Sequence, residues 1–349
     1  MTTESLSTSS IQLSTTSSAP SFRWQSVYMA YGVIMFFVLI IGFFGNVFTI
    51  LVLRQREHRM KSITPLMVNL ALADLFIIVF GYPAIIVSNL NGDLLFPESP
   101  LCVWSGFANG FSGMTCIATL TVMSGMVYQT VKRNFPPAHN VVPKRQVTLL
   151  IASTWFYGFI VMLPPLVGWN RFVPGQAGFS CAPEWTAPNV ASKVYISVLI
   201  VVGFLTPLVV IAVYYTLTFR TLKRRPMTGN AFLQAQRRKY QNKSILMTAV
   251  TIGAFLLSWS PYALVSLTAT VKGHHVMTSG ESEIPELMAK ASVIYNPIIY
   301  TFINDKFRHT LWGILSGNRG IILPRGRSGS EEPTEHGSVN ATHASPRDH

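Results

Sequence analysis

Seven stretches of roughly 20 residues or more, each apolar and poor in charge, constrain the fold of this 349-residue chain more than any other feature. Lipid offers no partner to a backbone amide, so such runs fold as helices that satisfy their own hydrogen bonds. Their approximate limits are Tyr28 to Leu53, Pro65 to Leu90, Leu101 to Tyr128, Val147 to Val167, Val194 to Leu222, Ile245 to Val271 and Ile284 to Ile303. Hydrophobic residues make up 49% of the chain and charged residues only 12%. That balance is far from that of a soluble globular protein, and the apolar residues are gathered into runs rather than dispersed. The seventh run is the weakest by hydropathy, because it carries Glu286, Lys290, Asn296 and Pro297. The fold expected is all-α, a seven-transmembrane helix bundle.

Lysine and arginine are distributed unevenly about these runs. Four lie in the N-terminal tail and the second, fourth and sixth connections, 22 lie in the other connections and the C-terminal region, and Lys290 lies within a run. By the positive-inside rule the N-terminus is extracellular and the C-terminus cytoplasmic. The net charge of +13 is then a topology signal, and no nucleic-acid partner is needed to explain it. Residues 1–27 form a polar, Ser/Thr-rich tail without the apolar core of a cleavable signal, so the first span is expected to act as its own insertion signal. Residues 28–303 are the bundle. Residues 304–315 place Phe307, Leu311, Trp312 and Leu315 on one face of a short helix lying along the inner membrane surface. Residues 316–349, rich in Gly, Ser, Pro and charge, are expected to be a disordered cytoplasmic tail. No internal repeat is evident, which disfavours an inverted-repeat transporter.

Two of the three cysteines, Cys102 and Cys181, fall on the extracellular side of this topology. A disulfide tying the fourth connection to the third helix is favoured there over two free thiols. Cys116 falls mid-helix and reads as a small core residue. The ionisable residue that most demands explanation is Lys290, six residues before the run Asn296-Pro297-Ile298-Ile299-Tyr300. Charge at membrane depth is costly, so a lysine that persists there is by default a working part.

An ordered set of motifs resembles class A G-protein-coupled receptors. The first span carries Gly45-Asn46, the second Leu70-Ala71-Leu72-Ala73-Asp74, the fourth Trp155, and the fifth Pro207 and Tyr215. The sixth carries Ser258-Trp259-Ser260-Pro261-Tyr262 and the seventh the Asn-Pro run. Within that family Lys290 is similar to the lysine by which animal opsins bind retinal as a Schiff base, and Pro164 to Trp169 with Cys181 downstream also resembles opsins. The chemistry fits: in a dry pocket the neutral, nucleophilic amine is accessible and condenses with an aldehyde. A blander account makes Lys290 a salt-bridge partner in a receptor for a diffusible ligand. The resemblance implies 11-cis-retinal in the dark state and a seat of Trp259, Tyr262, Gly113, Met114, Phe204 and Phe255. It also implies a conformational switch through Asp74, Trp259, Pro261, Asn296, Pro297 and Tyr300.

A protonated Schiff base is a buried cation and needs a negative partner. Ser105 and Gly175 stand where other opsins carry the counterion glutamate. Only Asp74 and Glu286 are read as acids within the spans, and Glu286 lies four residues before Lys290 on the same helical face. The candidates are therefore Glu286, Glu184 in the loop past Cys181, or an inorganic anion such as chloride near Ser105. On the cytoplasmic side the family's acidic-Arg-Tyr sequence is replaced by Met126-Val127-Tyr128, and the acid of the sixth helix by Gln241. The usual ionic latch cannot form. Lys132, Arg133, Lys223, Arg224, Arg225, Arg237, Arg238 and Lys239 remain as contacts for a G protein or lipid headgroups. Ser328, Ser330, Thr334, Ser338, Thr342 and Ser345 are candidate phosphorylation sites for arrestin.

The resemblance thus implies a light-sensing, non-enzymatic receptor in a plasma or photoreceptor membrane, coupled to a heterotrimeric G protein. Val127, Ser105 and Glu286, as departures from the family pattern, imply a divergent invertebrate member that resembles cnidarian opsins. The alternatives are a retinal photoisomerase without strong signalling, a receptor for a diffusible ligand, and a light-driven pump or channel, which the cysteine pair and the Asn-Pro run disfavour.

Overall fold

The computed structural model of the chain describes residues 22–55, 58, 63–91, 99–133, 142–224, 231–278 and 280–317. Seven helices form a bundle and an eighth lies across one end. They are α1 (Phe22–Leu53), α2 in two segments (Thr64–Phe80 and Tyr82–Asn91), α3 (Pro100–Arg133) and α4 (Lys144–Met162). Next come α5, built of Val190–Ile200, a wide π turn Val201–Leu205 and Thr206–Arg224, and α6 (Ala231–Lys272). Then α7 runs as Glu283–Ala291, a tight 3-10 turn Ser292–Ile294 and Tyr295–Ile303, and α8 is Asp305–Leu315. Side chains such as Phe36, Phe37, Phe156, Val209, Leu257 and Leu264 point outward and are exposed. Apolar groups left uncovered around the whole girth of a bundle are what a lipid environment requires.

Five stretches, Ser26–Leu53, Thr64–Asn91, Pro100–Arg133, Val190–Arg224 and Phe232–Lys272, are each long and apolar enough to cross a membrane. The other two, α4 and α7, complete the bundle despite a charged start at Lys144 and Arg145 and a broken helix respectively. Several boundaries differ from those read off hydropathy. α1 opens at Phe22, inside the segment assigned to the tail, and α6 opens at Ala231 rather than Ile245. Hydropathy marks where a helix meets lipid, and a helix of Gln, Arg and Lys continues past that point at no propensity cost. α4 ends at Met162 because Pro164 and Pro165 cannot continue it, and Pro164–Val167 forms a 3-10 turn closed by Gly168 at φ 84°.

The irregular points have identifiable causes. Pro207 lacks the N–H that would bond to the carbonyl of residue 203, and the π turn sits one turn ahead of it. Pro297 likewise frees the carbonyl of Val293, which accepts instead from Asn46 Nδ2 at 2.9 Å. Tyr82 donates its hydroxyl to the carbonyl of Lys290 at 2.6 Å, just before the 3-10 turn. Asn69 ties three helices together: its Nδ2 donates to Thr119 Oγ1 at 2.8 Å and its Oδ1 accepts from Trp155 Nε1 at 2.8 Å.

One end of the bundle is closed by a hairpin, β1 (Phe172–Pro174) paired antiparallel with β2 (Cys181–Pro183), Val173 opposite Ala182. The Cys102–Cys181 disulfide fastens β2 to the start of α3. Phe172 and Phe179 are buried beneath the hairpin, so it forms a packed cap. The opposite end carries α8, with Phe307 buried against Tyr300 and Asp305 bridging Lys243 of α6 at 3.3 Å and Arg308 at 2.8 Å. Those two cations hold the Asp305 carboxyl below its ordinary range, Lys243 contributing most.

Candidate functional site

Lys290 lies on the inward face of α7, buried at 7% exposure. Its ammonium is ion-paired with Glu286 one turn earlier, and Nζ donates to Ser180 Oγ at 3.0 Å. Glu286 is 8% exposed. Helical side chains lean toward the N-terminus, which is why an acid four residues before a lysine meets it directly. Ser180 reaches the pair because β2 is anchored at the next residue by the disulfide. A buried pair of this kind is held only when both partners and their remaining protons are satisfied.

From Lys290 an apolar cavity extends toward α5. Its walls include Met114, Met162, Leu199, Phe204, Trp259 and Tyr262, with Ala182, Pro183 and Trp185 from the hairpin side. Its empty volume is about 890 Å³, including the part open to solvent. Glu286 and Lys290 supply charge at one end of a slot whose other walls are apolar and aromatic apart from Asn109 and Ser266. Tyr262 accepts a hydrogen bond from Trp185 Nε1 at 3.0 Å, which fixes both rings.

Trp259 forms the cavity floor. Phe255 stacks on its other side with centroids 5.5 Å apart, and Nε1 donates to Ser292 Oγ at 3.2 Å. A Cβ at Gly113 would lie 2.7 Å from Trp259 Cη2, so only glycine there lets the indole settle against α3. Below Ser292, Asn296 Nδ2 donates to Asp74 Oδ2 at 2.7 Å. Ser292, Asn296 and Asp74 line one small cavity together with Phe255, between Trp259 and the Asn-Pro segment of α7. Pro261 lies inside α6 two residues past Trp259, and Pro297 packs against Gly45, where a Cβ would approach it to 3.0 Å. Tyr300 is buried, with its hydroxyl unpaired.

The structure therefore brings Lys290, Glu286, Trp259, Tyr262, Met114 and Phe204 to one cavity. Gly113 and Phe255 lie beneath Trp259 and support it rather than line the slot. Ser105 is buried, but its hydroxyl donates to the carbonyl of Cys102 at 3.1 Å. Glu184 does not fold over the cavity: its carboxylate is engaged by Arg171 Nε at 2.7 Å across the hairpin. Reasoning from sequence missed Glu283, which begins α7 and is buried at 4% exposure near the Glu286–Lys290 pair. The hydropathy boundary at Ile284 excluded it. Its spacing of three from Glu286 and seven from Lys290 was the available signal, since those intervals share a helical face.

A model of the 7 transmembrane receptor (rhodopsin family) matches residues 45–300. The chain belongs to this receptor family. Relatives of the receptor include a protein named "Rhodopsin, GQ-coupled" from Mizuhopecten yessoensis, 30% identical over 294 residues that cover 80% of this chain and 58% of that one. A rhodopsin from Lethenteron camtschaticum is 27% identical over 321 residues, 91% of this chain and 90% of that protein. Human melanopsin is 28% identical over 287 residues, 79% of this chain and 60% of its own length. The receptor thus spans under two thirds of the Mizuhopecten and human proteins and nearly all of the Lethenteron one. The crystal structure of squid rhodopsin has the same fold, with a TM-score of 0.74 over 86% of this chain and 89% of that one at 23% identity.

At the α8 end Met126 and Val127 are buried, so valine and not arginine stands at position 127 of α3, whose last turn carries Lys132 and Arg133. Tyr128 packs on Tyr214 of α5 with centroids 6.0 Å apart, and Tyr215 donates to the carbonyl of Ile245 on α6 at 3.4 Å. Gln241 is buried with Nε2 unpaired, so no ionic latch joins α3 to α6 at these positions. The proposed phosphorylation sites of the tail, and Arg225, lie outside the described residues.

Proposed function

We propose that the receptor is a light-sensing opsin that binds 11-cis-retinal covalently through Lys290 and signals to a heterotrimeric G protein. The observation that carries this reading is a buried lysine opening into an aromatic-walled apolar slot, paired with a carboxylate on its own helix. Retinal, held as a Schiff base, supplies light absorption and a change of shape. The remaining work falls to the chain. The slot excludes water and fixes a long apolar molecule, its neutral amine form at Lys290 is the nucleophile, and Glu286 balances positive charge on that nitrogen. Chloride near Ser105 is the competing counterion; the Ser105 hydroxyl's commitment to Cys102 favours Glu286.

Pressure on Trp259 is relayed through Ser292 to the Asn296–Asp74 contact, and α6 pivots at Pro261. In this reading the hairpin end is extracellular, α8 is cytoplasmic, and the basic residues on that side meet the G protein, anionic lipid and, at the tail, arrestin. Borohydride reduction of the retinal-loaded receptor, followed by peptide mass analysis, is expected to place a retinyl group on Lys290. Its absence there contradicts the reading.

A second reading, a retinal photoisomerase without strong signalling, is favoured by Met126-Val127-Tyr128 in the last two turns of α3, where Val127 takes the place of the arginine that enters G proteins in the family. Light-dependent nucleotide exchange on purified G protein separates the two. Exchange supports the receptor, and isomer turnover without exchange supports the isomerase.

A further inference from the structure

The hairpin end of α7 holds one more acid than its single cation requires. Glu283, Glu286 and Lys290 share one face of α7, and all three are buried. Glu286 is in direct contact with Lys290, whereas neither carboxylate oxygen of Glu283 meets a donor at full hydrogen-bond geometry, its neighbours being the Ala177 backbone amide and Glu286 itself. A Cβ at Gly175 would lie 3.5 Å from Glu283 Oε1 and 3.5 Å from Glu286 Oε2. Both carboxylates therefore converge on one point of the hairpin, and these two oxygens are no further apart than twice that distance.

Among the described residues, the groups facing them from neighbouring elements bring no second positive charge. From α1 come Tyr28 and Tyr31, and from α6 comes Tyr262. The Tyr28 hydroxyl is already donated to the carbonyl of Ala177, and Ser180 of the hairpin is a neutral hydroxyl that accepts from Lys290. Two ionised carboxylates and one ammonium would leave a net negative charge out of water. Two carboxyls that share a site avoid this by holding a proton between them, one donating its O–H to the other.

We propose that Glu283 and Glu286 form an acid pair that holds one proton, so that the pair presents a single negative charge to Lys290 and either carboxylate can carry it. Glu283 is then a positioning residue: it acts on the Lys290 nitrogen through Glu286, and takes over the charge when Glu286 is neutralised. The spectral consequence rests on the opsin reading; the shared proton does not.

Infrared difference spectroscopy on the retinal-free receptor at neutral pH tests the proton. The wild type is expected to show a protonated-carboxyl stretch that is lost in both Glu283→Gln and Glu286→Gln, with the contribution of Asp74 cancelling in the difference. A stretch that survives Glu283→Gln overturns the proposal. If Glu283→Gln fails to fold, Glu283→Asp keeps the acid on a shorter arm and is expected to retain the stretch at a shifted frequency; an unshifted one overturns the proposal equally. In the retinal-loaded receptor each single Gln variant is expected to keep a visible band, and the double variant to lose it to the near-ultraviolet. Loss of the visible band in Glu286→Gln alone overturns the takeover of charge by Glu283. A receptor with no retinal-dependent band fails the opsin reading instead, and the infrared result then decides the acid pair by itself.

Discussion

Replacing Lys290 with methionine in the retinal-free receptor removes the positive charge from a cluster that buries two carboxylates. The side chains of Lys290 and Glu286 are 8% and 10% exposed, so solvent screens little of the loss. Without the lysine, the carboxylate left charged must take up a proton. For a glutamate of ordinary pKa, about 4.3, protonation at pH 7 costs about 3.7 kcal/mol at about 1.36 kcal/mol per pH unit. This lies within the range of about 3–5 kcal/mol for breaking a buried pair by removing one partner. Expressed wholly in the unfolding rate, it shortens the thermal half-life by up to about 500-fold. The sign with pH follows: the cost shrinks as pH falls, to about 1 kcal/mol at pH 5, because the proton becomes easier to supply. Adding Glu286→Gln to Lys290→Met removes the surplus acid and is expected to restore most of the half-life. Thermal inactivation of the three proteins in nanodiscs at pH 7 and pH 5 is the assay. A Lys290→Met half-life equal to wild type at pH 7, or a deficit as large at pH 5, refutes the reasoning.

Gly113→Ala puts a methyl 2.7 Å from a Trp259 ring held by Phe255 and Ser292, and overpacking of this kind costs about 1–3 kcal/mol. A lower melting temperature together with a shifted absorption band is expected, and no change in either contradicts the placement of Trp259. The Cys102–Cys181 bond closes a loop with a sequence separation of 79 residues, so Cys181→Ser is expected to cost about 4 kcal/mol and to be mimicked by reductant in a thermal-inactivation assay. Trp259→Phe removes the hydrogen bond to Ser292 and is expected to weaken light-dependent nucleotide exchange while the retinal band persists; unchanged exchange removes Ser292 from the relay. Asp305, held below the ordinary carboxylate range by Lys243, keeps its contacts as long as it stays ionised. Its contribution is present above the ordinary carboxylate pKa and is lost as pH falls through the lowered one. Spin labels on α6 and α8 are expected to keep their separation from pH 7 to pH 5 and to drift apart only in stronger acid.

The bundle was legible because lipid imposes a simple rule on composition, and Lys290 with Glu286 because a spacing of four on one helix fixes a contact without tertiary information. The disulfide followed from topology in the same way. What the sequence did not carry is what the hairpin does. Ser180 meets Lys290, and Glu184 turns to Arg171, only because β1 and β2 pair in one register over the mouth of the cavity. Glu283 was passed over because a hydropathy boundary treats the end of a span as the end of the buried region, whereas the hairpin extends burial past it. Gly113 and Phe255 were assigned to the cavity wall, but which side of an indole a neighbour occupies depends on packing, which spacing along a helix leaves open. The 3-10 turn at Ser292–Ile294 was foreshadowed by Pro297, though its rescue by Asn46 and Tyr82 comes from two other helices.

The central claim is that Lys290 carries the chromophore. Its most direct test is the absorption spectrum of the purified receptor after incubation with 11-cis-retinal in the dark, beside Lys290→Ala and across a chloride titration. A visible band that is absent from Lys290→Ala and indifferent to chloride is the predicted result, with Glu286 and its neighbour supplying the negative charge. A visible band that follows chloride places the charge on an inorganic anion. No retinal-dependent band, or one that survives Lys290→Ala, contradicts the account.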